Sequence, residues 1–99
     1  MSELLGELQR RWDGMFAALA AGDDLPPGAR LRAEGLMEAA ALVGEASAAA
    51  LDSAMERSYL AAFGRSIAAD FGREWRDFHP FPEIPAVARR APVYPSTRD

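Results

Sequence analysis

The chain holds a single histidine, no cysteine and no lysine. That inventory closes off most side-chain chemistry before any fold is considered. Without lysine there is no Schiff base, and without cysteine there is no thiolate nucleophile. Six serines are present, and none lies in a GxSxG turn that would expose a nucleophilic hydroxyl. No glycine-rich loop resembles a phosphate cradle. His79 sits between Phe78 and Pro80. A metal-bound or catalytic histidine needs partners at HxxxH or ExxH spacing, and this one has none. A role in packing at a junction is the better reading.

The carboxylates come closest to a site. Glu34 and Glu38 share a helix face at i, i+4, and Asp70, Glu74 and Asp77 share another. Such pairs bind divalent cations in helical bundles when neighbouring helices add histidines. Here arginines interleave instead, Arg30 with Glu34 and Arg73 with Asp77, which reads as a solvated, ion-paired face. Arg57, Arg65, Arg73 and Arg76 form a local basic stripe, but the intervening acids dilute it. With a net charge of −4, the chain is not expected to bind nucleic acid. No enzyme activity, cofactor or metal is therefore predicted.

What remains is apolar surface. Residues 59–78, "YLAAFGRSIAADFGREWRDF", carry Tyr59, Phe63, Ile67, Phe71 and Trp75 every fourth residue, with Phe78 beyond. On one continuous helix that row slants round the cylinder and covers a broad band. Beside it runs a row of small residues, Gly64, Ala68 and Gly72. Each mid-helix glycine costs about 1 kcal/mol relative to alanine, so two of them suggest a neighbour that comes close. These nine residues are the candidate protein interface. A bundle core or a homodimer seam would leave the same pattern.

The elements that must position these residues are helical. Leu5, Leu8, Trp12, Met15 and Leu19 follow a 3-4-3-4 spacing, opposite Glu3, Glu7, Arg10 and Asp13. Ser2 can cap that helix and Gly22 can end it. The connector "DDLPPG" is short, and Pro27 suits the first turn of the next helix, which should return antiparallel. From Ala29 to Phe78 no proline interrupts a run of helix formers. The apolar face changes side between about residues 44 and 59. That change predicts two helices, 28 to about 50 and about 53 to 78. Gly44 to Ser47 is one candidate break, and a capping box at Ser53 and Glu56 is the other. Residues 79–99 hold five of the seven prolines and predict an extended tail. Its part up to about residue 94 should lie along a groove of this chain or of a partner.

The expectation is an all-α fold: a small antiparallel bundle of about three helices over residues 1–78, with a proline-rich tail over 79–99. A folded part this small, with apolar bands in two directions, suggests a homodimer. No secretory signal pattern or membrane-length apolar run is present, so a cytoplasmic setting is expected. The 21 alanines and 11 arginines use GC-rich codons, which points to a GC-rich bacterium. The predicted function is that of a non-enzymatic, protein-binding regulatory protein that occludes an apolar surface of another protein. An apolar-ligand-binding bundle, lined by Trp12, Phe16, Phe63 and Phe71, is the alternative. A structural subunit of a larger complex is a third reading.

Overall fold

The computed structural model describes residues 2–85, and among them the regular structure is entirely helical, in five segments. Helix α1 spans Glu3–Ala20. Its start is fixed as the sequence suggests: the Ser2 hydroxyl accepts the Leu5 amide at 3.0 Å, and Glu3 lies in the first turn. Its end is set by Gly22, whose φ of 92° lies in the left-handed region. Two crossed bonds, Gly22 N–H to the Leu19 carbonyl and Asp23 N–H to the Ala18 carbonyl, close a Schellman turn. The apolar stripe of α1 is buried along its length at Leu8, Trp12, Met15, Phe16 and Leu19.

Helix α2 spans Pro27–Leu42, with proline at its first position. It ends in a second Schellman turn, Gly44 N–H to Ala41 and Glu45 N–H to Ala40, with Gly44 at φ 80°. Helix α3 then spans Ala48–Phe63, capped by the Ser47 hydroxyl on the Ala50 amide. The break between the second and third helices therefore falls at Gly44 to Ser47, and the expected helix to residue 50 stops at Leu42. Ser53 lies inside α3, so the capping box at Ser53 and Glu56 does not form.

The single long helix expected up to Phe78 is replaced by three pieces. Gly64, at φ 73°, ends α3. Helix α4 covers only Ile67–Phe71, Gly72 follows at φ 102°, and α5 covers Trp75–Phe78. The physical reason lies in the two glycines themselves. Their spacing suggests room for a neighbour, but they serve as left-handed stops, a conformation that other residues adopt only at a cost. A hypothetical Cβ on either would meet nothing within 4 Å.

Packing orders these pieces around α1, which lies mainly against α3 and secondarily against α2. Helices α1 and α3 run in the same direction. Gln9 Nε2 donates to the Ser58 hydroxyl at 2.5 Å, Ser58 donates to Asp13 at 2.8 Å, and Phe16 meets Tyr59 and Phe63 further along both helices. Helix α2 must carry the chain back between them, antiparallel to both. The segment after α5 folds onto this body: Ile84 and Pro85 are buried, and Ile84 belongs to the same core as Trp12 and Met37. The rest of the proline-rich tail lies outside the described residues.

Two glycines separate backbone from packing effects. Gly14 lies inside α1, and a Cβ there would meet nothing within 4 Å, so Gly14→Ala should stabilise the protein by about 0.5–1 kcal/mol. Gly64→Ala faces equally empty space but must hold a left-handed conformation, and should cost about 1–2 kcal/mol. Urea unfolding followed by circular dichroism reads both. Equal effects of the same sign would contradict the assigned end of α3.

Candidate functional site

The aromatic residues singled out from the sequence meet around Tyr59. Its ring stacks on Phe63 with centroids 4.3 Å apart and meets Phe16 edge-on at 5.1 Å and Phe71 at 6.3 Å. Its hydroxyl donates to Asp70 at 2.6 Å, and Arg65 grips the same carboxylate with Nε at 2.7 Å and Nη2 at 3.0 Å. Those hydrogen bonds hold the Arg65 guanidinium above its ordinary pKa. Tyr59 and Ile67 are buried core residues, while Phe63, Phe71 and Trp75 are half-buried against that core. Phe78 alone of the rings stands out, 76% exposed. Gly64 and Gly72 are exposed at turns, and Ala68 is half-buried in α4. The row of rings and the row of small residues thus do not share one helix face, because the helix that would have carried them is broken twice.

Trp12, Phe16, Phe63 and Phe71, the expected lining of an apolar ligand pocket, do not form one together. Phe16 is fully buried among the other rings, and Phe63 and Phe71 pack on Tyr59. Trp12 borders a separate cavity between α1 and α3.

The polar candidates hold the fold together. Glu34 is buried at 8% exposure rather than solvated, and its Oε2 accepts both Arg30 Nη1 at 2.7 Å and the Ile84 amide at 2.8 Å. Glu38 is exposed. Glu56 reaches across to the Ile67 amide at 2.8 Å, at the start of α4, where the Ser66 hydroxyl takes the Ala69 amide. Arg76 binds both oxygens of Asp52 and donates to the carbonyls of His79 at 2.5 Å and Glu83 at 2.8 Å. Its guanidinium also lies 4.3 Å from the Trp75 ring centroid. His79 sits at the junction, edge-on to Phe71 at 5.8 Å, with Glu83 3.7 Å from its Nδ1. Among the described residues no group of three or more histidine or carboxylate side chains could hold a metal ion.

Two surfaces remain that sequence reasoning passed over. The first is the outward face of α2. Leu31, Gly35, Glu38 and Leu42 form one exposed row at 4-3-4 spacing, with Leu31 57% and Leu42 84% exposed. Val43, 65% exposed, extends it at the turn. The signal was present in the leucines at both ends of α2. It was hidden because a helix apolar on two sides gives no clear amphipathic period.

The second is a cavity of about 480 Å³ between the first halves of α1 and α3. Leu5, Trp12 and Leu51 supply its apolar walls, while Ala46, Ala50 and Ala54 keep it open on the α3 side. Arg10 and Arg57 border it. Arg10 is engaged by Glu7 at 2.8 Å, and Arg11 reaches the same carboxylate at 2.9 Å. These two arginines hold the Glu7 carboxyl below the ordinary carboxylate range. Arg57 has no ion-pair partner among the described residues. The Trp12 indole N–H is buried without an acceptor.

The arrangement among the described residues is that of an all-helical protein with exposed apolar surface, and none of the described helices is long and apolar enough to cross a membrane. No protein family, curated protein or solved structure matches the chain.

Glu34 supplies a direct test of how the last segment is held. Glu34→Ala leaves a buried Ile84 amide without its acceptor and should destabilise the protein by about 1–3 kcal/mol. Glu34→Gln keeps an acceptor oxygen and should lose less. Hydrogen exchange at the Ile84 amide should accelerate in the alanine variant. Unchanged protection there would show that apolar burial of Ile84 suffices.

Proposed function

We propose that this chain is a non-enzymatic, cytoplasmic regulatory protein that acts as a homodimer and docks on an apolar surface of another protein. The observation that carries the reading is the outward row on α2. Helix α1 exposes no large apolar side chain and α3 exposes one, Leu60, whereas α2 exposes Leu31, Leu42 and the adjoining Val43. Apolar side chains aligned along one exposed helix face gain from being covered, at roughly 25 cal/mol per Å². Gly35, in the middle of that row, lets a second backbone approach. Phe78 offers a further exposed anchor, the one ring of the sequence-derived interface set that stands clear of the body. The other rings of that set lie in the core or half-buried against it.

The leucines are exposed, so replacing them tests binding without dismantling the core. Leu31→Glu and Leu42→Glu should keep the circular dichroism spectrum of the parent protein. Each should weaken association with the protein that co-purifies stoichiometrically from the native host by about 2 kcal/mol or more. If both variants retain that protein as tightly as the parent, the α2 face is not the docking surface. Sedimentation equilibrium at micromolar concentration reads the assembly state separately. A species of 10.7 kDa throughout would remove the homodimer from the reading.

A further inference from the structure

The cavity between α1 and α3 is polarised. Apolar wall runs from Leu5 and Ala46 through Ala50 and Leu51 to Trp12 and Ala54. The charged groups on its border are both cations, Arg10 and Arg57. Ala46 in the turn before α3, and Ala50 and Ala54 on α3, are too small to fill the space, and Gly6 presents no side chain on the opposite wall. A volume of about 480 Å³ is that of a site for a small organic molecule, which spans roughly 300–1,000 Å³ in proteins.

The two guanidiniums differ in how much charge they have left to offer. Arg10 shares Glu7 with Arg11. Arg57 also borders a shallow depression with Asp52 and Glu56, but both acids are committed elsewhere. Asp52 is held by Arg76, and Glu56 accepts the Ile67 amide. Arg57 thus makes no ion pair among the described residues, and it stands at the edge of an apolar groove. A guanidinium in that position favours a carboxylate, which it can bind with two parallel hydrogen bonds.

We infer that the groove between α1 and α3 binds a small amphiphilic carboxylate, with its apolar chain along Leu5, Ala50, Leu51 and Trp12 and its carboxylate on Arg57. The apolar chain covers the surface that Leu5 and Ala50 leave in water, above the buried Leu51 and Trp12, and the head group pairs with Arg57. The site lies on other helices than the exposed row of α2, so its failure and that of the protein-docking reading are separate results.

The test is calorimetric titration of the full chain with decanoate, decanol and acetate. Decanoate should bind one per chain and saturate, decanol at least ten-fold more weakly, and acetate not at all. Arg57→Ala should bring decanoate down to the affinity of decanol and leave decanol unchanged. Ala54→Phe fills the groove and should abolish binding of both while the circular dichroism spectrum is kept. In a Trp75→Phe background the remaining indole, Trp12, should report the same saturation by fluorescence. The inference is overturned if decanoate shows no saturable binding or if decanol binds as well. It is equally overturned if Arg57→Ala keeps the preference for the acid, or if folded Ala54→Phe binds like the parent.

Discussion

Tyr59 joins the two halves of this chain at one point. Its ring sits between Phe16 of α1 and Phe63 and Phe71 of the later helices, and its hydroxyl ends on Asp70. A buried phenol must place both its apolar body and its polar tip. The first requirement brings α1 against α3. The second brings α4 back over the end of α3, because Asp70 belongs to α4. Arg65 then completes the carboxylate's hydrogen bonding from the turn between those helices. The reversal after Gly64 is therefore fixed by tertiary contacts as well as by glycine's freedom at that position.

Beyond α4 the chain is held by a few polar contacts more than by helix. Helix α5 is a single turn, too short to be stable by itself. Arg76 substitutes for regular structure by binding Asp52 on α3 and two carbonyls of the following segment. Glu34 performs the matching task on α2 by accepting the Ile84 amide. Both are charge-assisted hydrogen bonds, stronger than neutral ones and costly to leave half-made. They let residues 79–85 close the core where a longer helix would otherwise be needed. These acids and arginines are thereby used in construction.

Committing polar groups to the interior leaves the outer surface unevenly dressed. On helix α1, Arg10 and Arg11 both pair with Glu7. Helix α2 turns leucines outward at both ends of one row. The groove beside α1 stays open where Ala50 and Ala54 of α3 face it with small side chains. The proposed recognition properties follow from these contrasts of side-chain size and charge between three helices of similar length.

The sequence by itself determined the helical class, the stripe of α1, its ends at Ser2 and Gly22 and the start of α2 at Pro27, because each depends on residues within one or two turns of one another. Glycines at 44, 64 and 72 were visible too, but local pattern does not tell a glycine that ends a helix from one that lets a neighbour close. Both uses put glycine among helix formers. Only the tertiary structure decided it, by turning each glycine to positive φ and leaving the space around it empty. The same limit hid Glu34: its spacing to Arg30 gave the ion pair, while its burial came from Ile84, fifty residues away along the chain. Which rings face water, which arginines form ion pairs and which helix shows leucine to solvent all depend on contacts between distant residues. Those contacts exist only once the helices have packed.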